Sequence, residues 1–419
     1  MIKIKFSFHG GAREVGRSCI QIEFENFSLM LDCGVKLRQD DGCPVLPEHT
    51  DALILSHAHL DHSGMVPALY RKNRLPIYST DITFEISHML QRDSVKINKL
   101  RREKEIYTNN DINEMRKSEI CVNYGEKVKL RKNISFEMID AGHIPGSASI
   151  LIEMDDLKIL YTGDIKTVDT YLQRGARVPR ADILIIESTY GNKIHPNRKE
   201  LEREFIDVVD ETLRRKGIAV IAAFAVGRTQ EVLMMLRNLS YPIYLDGMGQ
   251  DITRIFMQYP KYLRNPELLK ESARTARWIT NNEERRKAIL KPSIIVTTAG
   301  MLNGGPILRY IQKLKNDKKS SVILTGYQVE GTNGRLLMEN GYIVDESNNK
   351  KISVKMEKHQ FDFSAHAGRN SLERIARDVN PEIAFVVHGD QEPATELGKF
   401  LTTICEKVYV PEVGDVIEI

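Results

Sequence analysis

The chain has 419 residues, 42% of them apolar, which is more than one hydrophobic core usually holds and enough to build two domains. Lysine plus arginine (60) nearly balance aspartate plus glutamate (57), so a net charge of +3 neither demands nor excludes a polyanionic partner, and any basic footprint must be local. Five scattered cysteines without a Cys-x-x-Cys spacing argue against a disulfide framework and a thiolate zinc cage, no charged-then-apolar leader opens the chain, and no run approaches the roughly 18 apolar residues of a membrane span; a soluble cytoplasmic protein in a reducing compartment is expected.

Short strands come first: Ile4 to Phe8, Cys19 to Phe24 and Phe27 to Leu31, whose alternation suits a half-buried sheet, then the wholly apolar Ala52 to Leu55. Ser63 is placed as the N-cap of a helix through Met65 to Tyr70. Residues 81 to about 118 read as helical and highly charged. Strand character returns at Ile134 to Ile139, in a hairpin from Ile150 to Tyr161 that turns near Asp155-Asp156, and at Ala181 to Ile186. From about 198 to 345, helical stretches alternate with short apolar strands at Ile218 to Phe224, Pro242 to Leu245, Ser293 to Thr297 and Ser321 to Leu324, which predicts a separate α/β domain with a mainly parallel sheet. The last portion reads as a strand at Ile352 to Lys358, a helix from Ala367 to Val379, a strand at Ile383 to Val387, a helix around Pro393 to Ile404 and a strand near Val408.

The densest chemistry is "SHAHLDHSG" (56–64), which follows a buried apolar run. His57-x-His59-x-Asp61-His62 can offer nitrogen and oxygen donors to two metals, and imidazole with carboxylate but no thiolate suits Zn²⁺, less decisively Mn²⁺ or Fe²⁺. Further candidates stand where strands end: Asp32 in "LMLDCG", His143 in "DAGHIPGSAS", Asp164 in "ILYTGD", Glu187 in "ILIIES" and His388 in "AFVVHGD". An Asp before Gly is most often a turn residue, but the recurrence at strand ends is hard to dismiss.

In this order, Asp32, the His-x-His-x-Asp-His loop, His143 and Asp164 resemble the metallo-β-lactamase fold superfamily, and "ESTYG", "FSAHAG" and "VVHGD" narrow the resemblance to its β-CASP branch of nucleic-acid-processing nucleases. "GGAREVGRSCI" (10–20), "TTAGMLNGGP" (297–306) and "GYQVEGTNGR" (326–335) are similar to the nuclease subunit of the cleavage and polyadenylation specificity factor and its archaeal and bacterial relatives. The resemblance covers essentially the whole chain, without the N-terminal extension that could hold the KH domains of some archaeal relatives or the long C-terminal region of the eukaryotic subunit.

The resemblance implies an α/β protein: an αββα sandwich from residues 1–190 and 348–419, with an α/β (β-CASP) domain inserted at 191–347 and function in the cleft between them. It implies two Zn²⁺ per chain, one on His57, His59 and His143, the other on Asp61, His62 and His388, with Asp164 bridging. Catalysis would then rest on Asp61, on His366 as proton donor to the leaving oxygen, on Glu187 orienting it, and on Asp32 fixing a ligand imidazole from behind. Ser364 and His366, at the start of the following helix, are candidate phosphate contacts. The implied reaction is RNA hydrolysis by metal-activated hydroxide, leaving 5′-phosphate and 3′-hydroxyl ends. The expected partners are single-stranded RNA and a second copy of the chain, with no membrane. Internal cleavage and processive 5′–3′ cleavage stay open. Rivals are a superfamily thioesterase, disfavoured by the large insert; a DNA nuclease of the same branch, disfavoured by His388; and a noncatalytic RNA-binding scaffold, disfavoured by the full ligand set. In the insert, Lys270, Arg274, Arg277, Arg285, Arg286 and Lys287 surround Trp278, compatible with an unpaired strand, although Glu271, Glu283 and Glu284 interrupt them.

Overall fold

A computed structural model describes residues 3–36, 42–71, 74–345 and 349–419. Its contacts divide the chain into two units: one of the residues up to Asp169 with Arg174–His195 and Ala365–Ile419, the other of Thr170–Gln173 and Pro196–Ser364.

The first unit stacks two seven-stranded sheets. One runs Val416–Glu418, Ile4–Gly10, Cys19–Phe24, Phe27–Leu31, Ala52–Ile54, Ile77–Ser79 and Glu119–Cys121 in spatial order. The other runs Lys407–Tyr409, Ile383–Val387, Ile183–Glu187, Leu157–Tyr161, Ala148–Met154, Ile134–Asp140 and Lys127–Lys129. Alternate side chains of facing strands fill the space between them: Phe6, Phe8, Ile20, Ile22 and Leu29 from the first sheet meet Phe136, Ile152, Ile159, Ile183 and Phe385 from the second. The rings of Phe6 and Phe385 stack at 4.6 Å. Burying each such side chain contributes roughly 1.5–3 kcal/mol, enough to hold rigid the strand ends on which the site is built. Helices cover the outer faces. Val95, Ile112 and Met115 pack on Met30, Leu53 and Ile77 on one side, while Leu372, Ile375, Leu397 and Leu401 pack on Leu160, Leu184 and Val386 on the other. This is the αββα sandwich.

The second unit is a six-stranded sheet, parallel throughout, in the order Arg277–Trp278, Ile243–Asp246, Ser293–Thr297, Ile218–Ala222, Ser321–Leu324 and Glu357–Gln360. Phe205, Val209 and Leu213 cover one face and Ile307, Tyr310 and Ile311 the other. Both faces are therefore dry, which is why its central strands read as continuous apolar runs. No helix among the described residues is long and apolar enough to cross a membrane.

Two sequence expectations are corrected and a third is extended. The helix placed from Met65, capped by Ser63, instead begins at Leu60: the turns are Leu60–Ser63 and Val66–Leu69, and Ser63 Oγ donates to the Ala58 carbonyl, so Asp61 and His62 ride on a helical turn rather than in a loop. The single strand at 352–358 is two, Lys350–Ser353 pairing with Tyr342–Asp345 and Glu357–Gln360 joining the parallel sheet, because buried Val354 and Met356 turn the chain into the core between them. The C-terminal segment adds a strand to each large sheet, Lys407–Tyr409 beside Ile383–Val387 and Val416–Glu418 beside Ile4–Gly10.

Candidate metal centre

Leu157–Tyr161, Ile183–Glu187 and Ile383–Val387 are adjacent parallel strands, with Tyr161 opposite Ile185 and Glu187 opposite Val387. Parallel neighbours end at the same sheet edge, so Asp164, Glu187 and His388 become neighbours although more than two hundred positions separate the first from the last. In the facing sheet Leu31 pairs with Ile54, also in parallel, which sets Asp32 beside Ser56 and the His57–His62 turn.

The donors converge on the Asp164 carboxylate. His57 Nε2 and His143 Nε2 lie 3.4 and 3.6 Å from its Oδ2, and His59 Nδ1 lies 3.0 Å from His143 Nε2. Toward its Oδ1 stand His62 Nε2 at 3.2 Å and His388 Nδ1 at 3.0 Å, with His388 Nε2 3.5 Å from Asp61 Oδ2. Two groups result, His57/His59/His143/Asp164 and Asp61/His62/Asp164/His388, each with its donor atoms within 4.8 Å of one another. A tetrahedral ion with bonds of about 2.0–2.1 Å has ligand–ligand edges of about 3.3–3.4 Å, which these separations match. His57 Nε2, His62 Nε2, His388 Nε2 and Asp164 Oδ1 are buried without a hydrogen-bond partner. Buried polar atoms are normally paired, each orphan costing about 1–3 kcal/mol, and a divalent cation satisfies such atoms together. Nitrogen and oxygen donors without a thiolate suit zinc better than a softer ion.

Electrostatics sort the imidazoles. Burial holds His57, His59 and His143 below the ordinary histidine range against the pull of Asp164, which leaves lone pairs for a cation. Burial also opposes charge on His62 and His388, but carboxylates outweigh it: Asp164 and Asp32 lift His62 well above its usual value, and Asp164 with Asp61 lifts His388 to about 10. Burial would favour neutral Asp164, yet His388, His62 and His366 hold it well below the carboxylate range.

Behind the donors lies a hub. The fully buried Asp32 accepts the Ser56 N–H on Oδ1, and on Oδ2 accepts Ser56 Oγ–H, His62 Nδ1–H and the Tyr161 hydroxyl, each at 2.7 Å. Ser56 Oγ in turn contacts His57 Nδ1 at 3.1 Å. One carboxylate thus sets two rings so that their Nε2 atoms face the centre. Asp32 and His388 both adopt left-handed backbone, with φ of 59° and 46°. That conformation costs roughly 1–2 kcal/mol outside glycine. It is held by the Asp32 network and by a bond from His388 N–H to the Gly11 carbonyl at 2.6 Å. Gly34 abuts the ligand turn: a Cβ there would lie 1.7 Å from the Asp61 carbonyl oxygen.

His366 Nδ1 lies 3.1 and 3.0 Å from the two Glu187 oxygens, and its Nε2 lies 3.9 Å from Asp164 Oδ2. Glu187 is fixed by the Ile165 N–H at 2.7 Å. Burial works against a charged His366, but Glu187 and then Asp164 raise its pKa above the usual value. The preceding carbonyl, of Ala365, accepts His143 Nδ1–H at 3.0 Å, so this segment also orients a donor of the first group. Ser364 is buried and belongs to the second unit. Tyr161 and Ser56 were not singled out from the sequence; the available signal was a phenol closing the apolar run "LKILY" and a hydroxyl opening the histidine turn.

The chain matches known proteins along most of its length. Residues 21–179 match the metallo-beta-lactamase superfamily domain, 229–337 the Beta-Casp domain, and 351–411 the Zn-dependent metallo-hydrolase RNA specificity domain. The chain is 42% identical to a probable RNase, MJ4, of Methanocaldococcus jannaschii over 98% of its own length and 99% of that protein's. It is 35% identical to the RNase aCSPSF2 of Saccharolobus solfataricus, covering 98% of this chain and 84% of that one, and 34% identical to the transcription termination factor FttA of Methanocaldococcus jannaschii, covering 99% and 72%. A crystal structure of an Enterococcus faecalis protein of unknown function superposes with a TM-score of 0.65 over 100% of both chains at 16% identity, a likeness of fold. This chain belongs to the β-CASP family of the metallo-β-lactamase superfamily.

Proposed function

We propose that this chain is a ribonuclease that hydrolyses RNA phosphodiesters with the help of two zinc ions, in RNA processing, 3′-end formation or decay. The observation that supports it most is the convergence of seven nitrogen and oxygen donor groups on one edge of the sandwich, several with buried, unpartnered atoms. The RNase names of relatives at 35–42% identity point to RNA as the substrate.

In this reading His57, His59 and His143 hold one ion, Asp61, His62 and His388 the other, and Asp164 serves both. Ions so held would acidify water and offset phosphodiester charge. His57, His59 and His143 are kept neutral by burial and Asp164 anionic by its neighbours, which readies the first group for a cation, whereas His62 and His388 of the second would give up protons to an ion bound there. Asp32 keeps His57 and His62 from rotating away. His366, held by Glu187, whose carboxylate raises the pKa of the ring, donates the Nε2 proton to the departing 3′-oxygen. Because water rather than the ribose 2′-hydroxyl attacks, the products carry 5′-phosphate and 3′-hydroxyl ends. Resemblance adds that the working unit is a homodimer; a monomer by sedimentation under assay conditions would remove that part.

Metal analysis with cleavage of a single-stranded RNA tests the proposal. Two zinc per chain and activity abolished by His143→Ala are expected, and full activity after strong chelation would refute it. Equal cleavage of DNA and RNA of one sequence would favour the DNA reading, and metal loading without cleavage of either the scaffold. Cutting of a circular RNA would establish an internal step.

A further inference from the structure

The second unit contains a pocket that the proposed chemistry leaves unused. Its sheet ends in the two-residue strand Arg277–Trp278, paired to Ile243–Asp246. Trp278 Nε1–H donates to the Ala273 carbonyl at 2.8 Å, which fixes the indole, and the Arg254 guanidinium stands 4.7 Å from its ring centroid. Against the indole lies a cavity of about 470 Å³ lined by Met257, Lys270, Ala273, Arg274, Ala276 and Trp278. Small-molecule sites run roughly 300–1,000 Å³.

The helix Pro266–Thr275 places residues 270, 273 and 274 on one face, three and four apart, so the short Ala273 leaves the hollow and two cations flank it. Their surroundings differ. Glu267 neutralises Lys270 at 2.7 Å and Asp251 neutralises Arg254 at 2.6 Å, whereas Arg274 pairs with no carboxylate among the described residues. A lining of one indole, a methionine, two alanines and two cations, one of them without a carboxylate partner, suits a planar ring that carries an anion. An aliphatic ligand would waste the charge, and a cation would be repelled.

We propose that this pocket holds one unpaired nucleotide of a single-stranded RNA, its base on Trp278 and its phosphate at Arg274, with Lys270 beside it. The proposal rests on the RNA reading above and adds a contact outside the metal centre. Stacking of one base on an aromatic residue is worth roughly 5- to 150-fold in affinity.

Trp278 is the chain's single tryptophan, so its emission reports on this pocket alone. A short oligoadenylate titrated into the full chain should quench that emission saturably, while the same sequence as a duplex should not. Cleavage of the oligonucleotide is read in parallel. Arg274→Gln should weaken binding and lower the slope of log affinity against log salt by about 0.7, the contribution of one phosphate contact on a single strand. Because these variants carry no tryptophan, their binding is read from the anisotropy of a dye-labelled oligoadenylate: Trp278→Leu should weaken it by the stacking factor, and Trp278→Phe, which keeps a ring and guards against misfolding, should largely restore it. Cleavage with unchanged Trp278 emission would overturn the pocket and leave the nuclease reading standing. Quenching without cleavage would support the pocket while the nuclease reading fails. Neither quenching nor cleavage would sink both.

Discussion

Truncating Asp32 to alanine should cost both stability and metal affinity, and the structure separates the two. Four donors converge on this carboxylate: the Ser56 N–H and hydroxyl, His62 Nδ1–H and the Tyr161 hydroxyl. The hydroxyls can rotate toward other acceptors, but the Ser56 amide is fixed by its backbone and the His62 ring by its packing. Leaving two buried donors unpaired costs about 1–3 kcal/mol each, so a loss of about 2–6 kcal/mol is expected, a large share of a typical 5–15 kcal/mol. This part should appear in urea unfolding of the chelated protein, where no metal contributes. With the hub gone, His57 and His62 are free to turn their Nε2 atoms away, and metal affinity, read by competition with a chromogenic chelator, should fall about 10- to 100-fold. Tyr161→Phe is the control. It removes one donor, leaves the imidazoles oriented, and should cost about 1 kcal/mol with little change in metal affinity. If Asp32→Ala unfolded within 1 kcal/mol of the parent and bound metal as tightly, Asp32 would not be what holds the ligand turn.

Three other perturbations have distinct signatures. His366→Ala should keep its metal and lose about 10²- to 10⁴-fold in rate, and near-normal turnover in steady-state cleavage would remove its role as proton donor. Gly34→Ala pushes a methyl into the Asp61 carbonyl; overpacking of this kind costs about 1–3 kcal/mol, and an unchanged thermal midpoint together with unchanged metal content would contradict the close approach. Asp140 is raised to about 6 because burial outweighs its bond from the Gly142 N–H and the nearby Arg174. The folded state therefore binds this proton more tightly than the unfolded chain does. Its contribution is full below the ordinary carboxylate range and lost as pH rises through about 6, a difference worth roughly 3 kcal/mol. Asp140→Asn keeps the acceptor for Gly142 and should flatten that slope, so parallel urea midpoints for both proteins between acid and neutral pH would rule the effect out.

Much of the site is legible in the order of the residues. His57, His59, Asp61 and His62 sit within six positions, and no folding is needed to see that they can act together. Asp164, Glu187 and His388 each close an apolar run, so each stands out as a candidate, and the alternation after residue 198 announces a parallel sheet. Local pattern reaches that far because burial imposes its period on every strand and helix separately.

Which candidates meet was decided by sheet order, and sheet order is a nonlocal property. Asp164, Glu187 and His388 share an edge only because three parallel strands lie next to one another in register. Tyr161 supports Asp32 across 129 positions, a bond that neither neighbourhood announces. The helical turn at Leu60, the division of 350–360 into two sheets and the strand Val416–Glu418 likewise followed from packing partners supplied elsewhere in the chain. Residue type and spacing determined what this protein's side chains are able to do; long-range pairing of its strands determined where they do it, because the free energy that selects a neighbour comes from surface buried between segments that the sequence keeps apart.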